Sequence, residues 1–224
     1  MAGADGCRAG WVVAVLPAGG GPLELRVVPR LDAVVGDVAA GRLAALAVDM
    51  PIGLPDAGPR ACDVAARRRL GPRRASVFPA PARAVLGSPT YAEALARSRA
   101  ASGRGLSRQA FNLVAKIAEL DRVMRPDLQD RVVEAHPEMA FARLAGRPCA
   151  APKRTAAGRA ERLALLAGAG LGDLSGTRLA GAAPDDVLDA AALTLTAARV
   201  RDGEAERLGD GARDARGLRM EVVA

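Results

Sequence analysis

Short apolar runs separated by turn signals open the 224-residue chain, and longer helical periods follow them. WVVAVLP (11–17) is a Val-rich run closed by the turn signal GGGP at 19–22. LELRVVP (23–29) then alternates as a strand does, and the short gap predicts a hairpin. AGADGC ahead of Trp11 completes an opening meander of three strands, with Asp5 near the end of the first. LDAVVGDVAAG (31–41) fits a short helix closed by Gly41. LAALAVD (43–49) is an apolar run between Gly41 and Pro51, and its place after a helix predicts a buried parallel strand.

Residues 50–106 are rich in Pro, Gly and Arg and weakly periodic, which predicts an irregular insertion with short helices near 59–69 and 90–101. Ser107 suits the N-cap of a long helix, SRQAFNLVAKIAELDRVMR, that Pro126 ends, so the whole insertion spans about 50–128. RVVEAHPE (131–138) repeats an earlier pattern of a β-like run, a carboxylate (Glu134) and a proline. Helices are predicted over 137–145, about 158–169 and 184–200, the last with Pro184 at its start and acids in its first turn. LRMEVV (218–223) reads as a last strand or a disordered end, and no internal repeat is visible. A meander followed by αβ units predicts one α/β domain over 1–224, a mixed sheet with helices packed on it.

Charge changes this picture in one segment. The net charge is +7, and Arg outnumbers Lys 30 to 2, a bias that reads as genome composition. Residues 57–108, however, hold eleven Arg against Asp63 and Glu93, so this segment carries +9 and the remainder sums to −2. A concentrated basic segment suits phosphate, and its plain alternative is a solvated Arg-rich surface. Cys7, Cys62 and Cys149 are far apart without a CxxC, and His136 is the single histidine, so zinc ribbons and multi-histidine zinc sites are excluded. Neither a signal peptide nor a charge-free apolar span of membrane length is visible, which makes a cytoplasmic protein the expectation.

The carboxylates form the candidate chemistry. Asp5, Asp49 and Glu134 sit at strand ends, and Asp185, Asp186 and Asp189 occupy the first turns of the last long helix. Parallel neighbouring strands would bring such acids to one sheet edge, where their mutual repulsion calls for a hard cation. Each acid also has an ordinary reading: a turn residue for Asp5 and Asp49, an arginine partner for Glu134, a helix-terminus role for Asp185 and Asp186. Trp11 and Phe78 are scarce aromatics and more often core than stacking platforms.

DGCRAGWVVA (5–14), VDMPIGLPD (48–56), RRASVFPAPAR (73–83), LSRQAFNLVAKIAELD (106–121), VVEAHPE (132–138) and DDVLDAAALTLTAAR (185–199) together resemble the DUF429 family of predicted nucleases with an RNase H-like fold. The resemblance implies three antiparallel strands, then parallel ones, with helices on both faces. It also implies metal-dependent hydrolysis of phosphodiester bonds in DNA or RNA, with Mg²⁺ or Mn²⁺ as cofactor. By motif, the ligands would be Asp5, Asp49, Asp186 and Asp189, with Glu134 a further catalytic carboxylate. Arg73, Arg74, Lys116 and His136 are candidates for substrate contact, and resolvase-type relatives imply a homodimer as one option. The competing expectation is a non-catalytic nucleic-acid- or protein-binding module. A sugar-kinase or ATPase reading is disfavoured, because that architecture needs two such domains and no Walker-type loop is present.

Overall fold

The opening meander forms as the alternation predicts. In the computed structural model, which describes residues 1–224, β1 (Ala2–Cys7), β2 (Gly10–Val15) and β3 (Glu24–Val28) pair antiparallel in sequence. Helix α1 (Asp32–Ala39) leads to β4 (Leu46–Val48), which lies parallel to β1, and β5 (Val132–Glu134) lies parallel to β4. The result is a mixed five-stranded sheet in the order β3-β2-β1-β4-β5.

The stretch between β4 and β5 carries the helices expected near 59–69, 90–101 and after Ser107. It holds α2 (Ala61–Leu70), α3 (Tyr91–Ser102) and α4 (Arg108–Val123), with 3-10 turns at 71–76, 83–85 and 126–128. Side-chain caps explain two of these starts: Thr90 accepts from Glu93 N and Ser107 from Ala110 N. After β5 come α5 (Pro137–Ala145), α6 (Ala156–Gly168) and α7 (Pro184–Asp202). The C-terminal tail is ordered. β6 (Arg207–Leu208) pairs with β7 (Val222–Val223), and Val223 bridges to Ala135 beyond β5. No helix is long and apolar enough to cross a membrane.

Strand alternation gives the sheet two different faces. Ala2, Ala4, Trp11, Val13, Leu46, Val48 and Val132 pack against Val34, Val35 and Val38 of α1 and Ile117 and Leu120 of α4. Truncating a fully buried member such as Leu120 to Ala would cost about 2–5 kcal/mol. The opposite face carries α7, itself covered by α5 and α6, so α7 is buried nearly all round from Val187 to Thr194. That explains why α7 shows no clear apolar stripe in sequence.

Gly3 sets how closely α7 approaches. A Cβ there would lie 2.2 Å from Ala190 O and 2.7 Å from Thr194 N, a clash with helix backbone. Asp5 follows Gly3 by two residues and therefore faces the same helix. On β4, Ala45 and Ala47 pack on the α7 side, so Asp49 continues that series. On β5, Val133 faces α7, and Glu134 shares the other face with Val132. The two faces thus divide the strand-end acids before any side chain bends.

Candidate active site

Asp5 and Asp49 lie side by side at the C-terminal ends of the parallel pair β1 and β4, where Asp49 N donates to Ala4 O at 3.0 Å. Asp189, in the second turn of α7, closes the group from the helix side. All three line one cavity of about 570 Å³. Pro51, Phe78, Pro79, Leu113 and Ile117 supply apolar wall, and Arg73, Gln109, Lys153 and Arg154 supply polar wall. Phe78 is 40% exposed, so this ring is open to the cavity mouth rather than packed in a core.

Burial without enough compensating charge marks this group. Burial pushes the Asp5 carboxyl well above its usual range, and Asp49 and Asp189 push it further. Burial also raises Asp49, and it raises Asp189 to about 6. Lys153 is the local counter-charge. Its Nζ donates to Asp189 Oδ2 at 2.5 Å and lies 3.6 Å from Asp185 Oδ2. Burial alone would lower Lys153, but Asp189, Asp5 and Asp185 outweigh it and hold the ammonium protonated above the ordinary lysine range. Lys153, together with His136 beside Asp49, opposes the rise, and burial still keeps all three carboxyls above their usual range.

The other expected site residues separate into distinct environments. Asp186 lines the cavity rim, and its Oδ2 accepts from Ala183 N at 2.8 Å, which ties it to the start of α7. Burial raises its carboxyl, and the Ala183 N–H opposes that rise. Asp185 also lines the rim, between Lys153 and Arg154. Glu134 borders the cavity but is turned to the opposite sheet face, where Arg60 grips it through two contacts of 2.6 and 2.7 Å. Ile52 N donates to the same carboxylate at 2.7 Å. Arg60 also holds Asp63 and donates to the carbonyls of Ile52 and Gly53, and Asp63 accepts from Ala80 N. This network pins the loop after β4 and the segment around Ala80 onto β5.

His136 caps α5: Nδ1 accepts from Glu138 N at 3.2 Å, which leaves Nε2 to donate to Ser76 O at 3.0 Å. It lines the cavity while fastening the 71–76 turn to the start of α5. Arg73 lines the cavity and donates to Ala151 O at 2.7 Å, whereas Arg74 is exposed and lies outside the lining. Lys116 is outside it too. Its Nζ donates to Gly10 O at 2.6 Å and sits 5.0 Å from the Trp11 ring centre. Glu119, on the same helix face, accepts from Trp11 Nε1 and Leu31 N, so that polar face braces β2 and α1. Of the eleven arginines in 57–108, Arg60, Arg69, Arg83 and Arg97 are held in ion pairs, while Arg68, Arg74, Arg99, Arg104 and Arg108 stay exposed. The basic excess of that segment is therefore partly spent inside the molecule.

Lys153 and Glu138 are cavity residues that sequence reasoning passed over. A signal for Lys153 existed: it is one of two lysines in a chain with 30 arginines. Glu138 stood in the EAHPE stretch as a first-turn acid of α5, a position that alone suggests only a favourable helix-dipole contact. No three His, Cys, Asp or Glu side chains are already gathered in ligating geometry. The all-oxygen donor set nevertheless suits a hard cation such as Mg²⁺ or Mn²⁺, provided Lys153 yields its place against Asp189.

The family model described as Protein of unknown function (DUF429) matches residues 3–214. No curated protein and no solved structure matches the chain.

Proposed function

The chain belongs to that family, and from this premise we propose that it is a metal-dependent hydrolase of phosphodiester bonds in nucleic acid, built on an RNase H-like arrangement. The observation that carries the reading is the convergence of Asp5, Asp49 and Asp189, from two parallel strands and one helix, in one cavity with too little positive charge to balance them. The antiparallel meander followed by parallel strands supports the RNase H-like part.

Asp5 and Asp49 project from adjacent strand ends and serve as the fixed floor of the site. Asp189 completes it from α7, and Asp186 at the rim is a further oxygen donor once its helix-cap bond is shared. A divalent cation held there would neutralise phosphate charge and make water easier to deprotonate. Lys153, Arg73 and Arg154 meet phosphate oxygens at the wall, with Arg154 the most exposed of them at its side chain. The Phe78 ring and the apolar wall offer a stacking surface to a base. Glu134 acts as a positioning residue, because Arg60 already occupies its carboxylate. Arg68, Arg74, Arg99, Arg104 and Arg108 extend positive charge along the molecule for the rest of a strand.

One specific observation favours a non-catalytic nucleic-acid- or protein-binding module instead: Lys153 already neutralises Asp189 directly. A cleavage screen separates the two. Single-stranded, duplex and branched DNA and RNA are incubated with Mg²⁺ or Mn²⁺ and with wild type or the Asp5→Asn/Asp189→Asn double variant. Cation-dependent cutting that the double variant lacks is the expected result. Binding without cutting under every condition favours the module.

A further inference from the structure

Two acids of the EAHPE stretch border the cavity, and their surroundings differ. Glu134 has both oxygens bound by Arg60. Glu138 has one. Its Oε1 accepts from Arg162 Nη2 at 2.6 Å, while Oε2 is buried without any hydrogen-bond partner. The residue is only 6% exposed, so solvent does not satisfy that oxygen. Arg162 cannot easily turn to cover it. The arginine is itself 1% exposed, donates through Nη1 to Ala151 O and Gly158 O, and lies 5.2 Å from the Phe141 ring centre. Its Nε also lacks a partner, so this ion pair engages through a single contact.

Helix α5 begins just after β5, and its first turn carries Glu138 back over the sheet edge. There its charge reaches the group on the α7 side. Glu138, Asp49 and Asp189 line the same cavity, and α5 packs directly on α7. Glu134 instead shares the opposite sheet face with Val132, where Arg60 binds it. An unpartnered, buried carboxylate oxygen in the cavity that two further buried carboxylates line is a demand for a cation.

We infer that Glu138, rather than Glu134, joins Asp49 and Asp189 as a ligand of a divalent cation, with Arg162 as the residue that positions it. The inference rests on the hydrolase reading for its purpose but not for its test. Lys153 and Glu138 then have opposite roles: the first balances the group when no cation is held, the second supplies the extra negative charge that draws one in.

The test is calorimetric titration of Mn²⁺ into the chelator-treated full chain near neutral pH. Wild type is compared with Glu138→Gln, Glu134→Gln and, as a control outside the cavity lining, Glu93→Gln. The glutamine at 138 keeps an oxygen for Arg162. The expected result is affinity weakened by about tenfold or more in Glu138→Gln, with the Glu93 control unchanged. Mn²⁺ binding that is lost in Asp49→Asn and Asp189→Asn but unchanged in Glu138→Gln overturns this inference and leaves the hydrolase reading standing. No Mn²⁺ binding by wild type overturns both. Should Glu138→Gln fail to fold, Mn²⁺-soaked wild-type crystals decide by anomalous density. A peak in contact with Asp49, Glu138 and Asp189 supports the assignment. A peak remote from Glu138, or Glu138 Oε2 closed onto Arg162 Nε, overturns it.

Discussion

On one face of the sheet, Glu134 and Asp63 share a buried arginine; on the other, Asp5, Asp49 and Asp189 share a single lysine. The first group is satisfied. Arg60 is 2% exposed, contacts both carboxylates and caps two carbonyls as well, so its planar fork is fully used. The second group is not satisfied. Burial raises carboxyls in both groups, Glu134 to about 7 and Asp189 to about 6, so the difference lies in the contacts: Arg60 binds both Glu134 oxygens, whereas Lys153 reaches only Asp189 directly and Asp185 at longer range. The comparison teaches how to tell a structural acid from a functional one when both are buried at strand ends. The structural acid has its charge cancelled and its oxygens bound. The candidate functional acid keeps oxygens that no protein group binds directly.

The comparison breaks most visibly at Arg60. Arg60→Ala would leave Glu134 and Asp63 buried and unpaired and release the loop after β4, costing about 3–5 kcal/mol in urea-denaturation experiments. A loss under about 1 kcal/mol would show that the satisfied group is not holding the fold.

Acidification tests the unsatisfied group next. A carboxyl raised in the folded state binds its proton more tightly there than in the unfolded chain, so its contribution favours folding at low pH. That contribution is complete below about 4 and is lost as pH rises through about 6 for Asp189. Relative to Asp189→Asn, whose amide does not titrate, cation-free wild type should gain about 2–3 kcal/mol on going from about pH 7 to about pH 4. Stabilisation by Mg²⁺ should run the other way, largest near neutral pH and fading as protons compete for the same oxygens. A pH-independent difference between the two proteins would mean that Lys153 alone balances the group.

Asp5→Asn sharpens the point by removing one charge from the unsatisfied side. In the absence of divalent cations it should stabilise the protein by about 1 kcal/mol, read as a rise in melting temperature, while abolishing the rise that Mg²⁺ produces in wild type. The smallest effect on stability is expected at Phe78. Its ring is 40% exposed, so Phe78→Ala should change stability by about 0.5 kcal/mol or less. The same variant should weaken single-strand binding by about 1–3 kcal/mol in a fluorescence titration, and unchanged binding would remove Phe78 from the substrate path.

Much of the fold was legible because it depends on local pattern. The strand runs around β1, β2, β3, β4 and β5 and the helices α4, α5 and α7 lie within a few residues of where periodicity, proline and capping signals place them. The insertion was legible in its helices, predicted near 59–69, 90–101 and after Ser107, but not in how they are seated. Its arginines mask an amphipathic pattern, and α2 is seated by the Arg60–Asp63–Glu134 network rather than by an apolar stripe. The C-terminal pairing of β6 with β7 escaped for a different reason, since two-residue strands carry almost no periodic signal. Asp214 is a related case. It reads as an ordinary loop acid, yet its side chain is buried and accepts from Leu54 N, Leu218 N and Arg216 N, joining the tail to the loop after β4.

The sequence by itself determined most elements, the α/β class, and the placement of acids at strand ends and at the start of α7, because these follow from local chemistry and spacing. Only the tertiary structure decided which acids meet. A strand end can point to either face, and the alternation of β1, β4 and β5 against α7 sends Asp5 and Asp49 one way and Glu134 the other. The same packing carried Lys153 and Glu138 into the cavity from loop and helix positions far away in the chain. It also buried Arg60 and Arg162 out of a long series of otherwise similar arginines. Charge is compensated in three dimensions, so the partner of each carboxylate was settled by the fold and not by its neighbours in sequence.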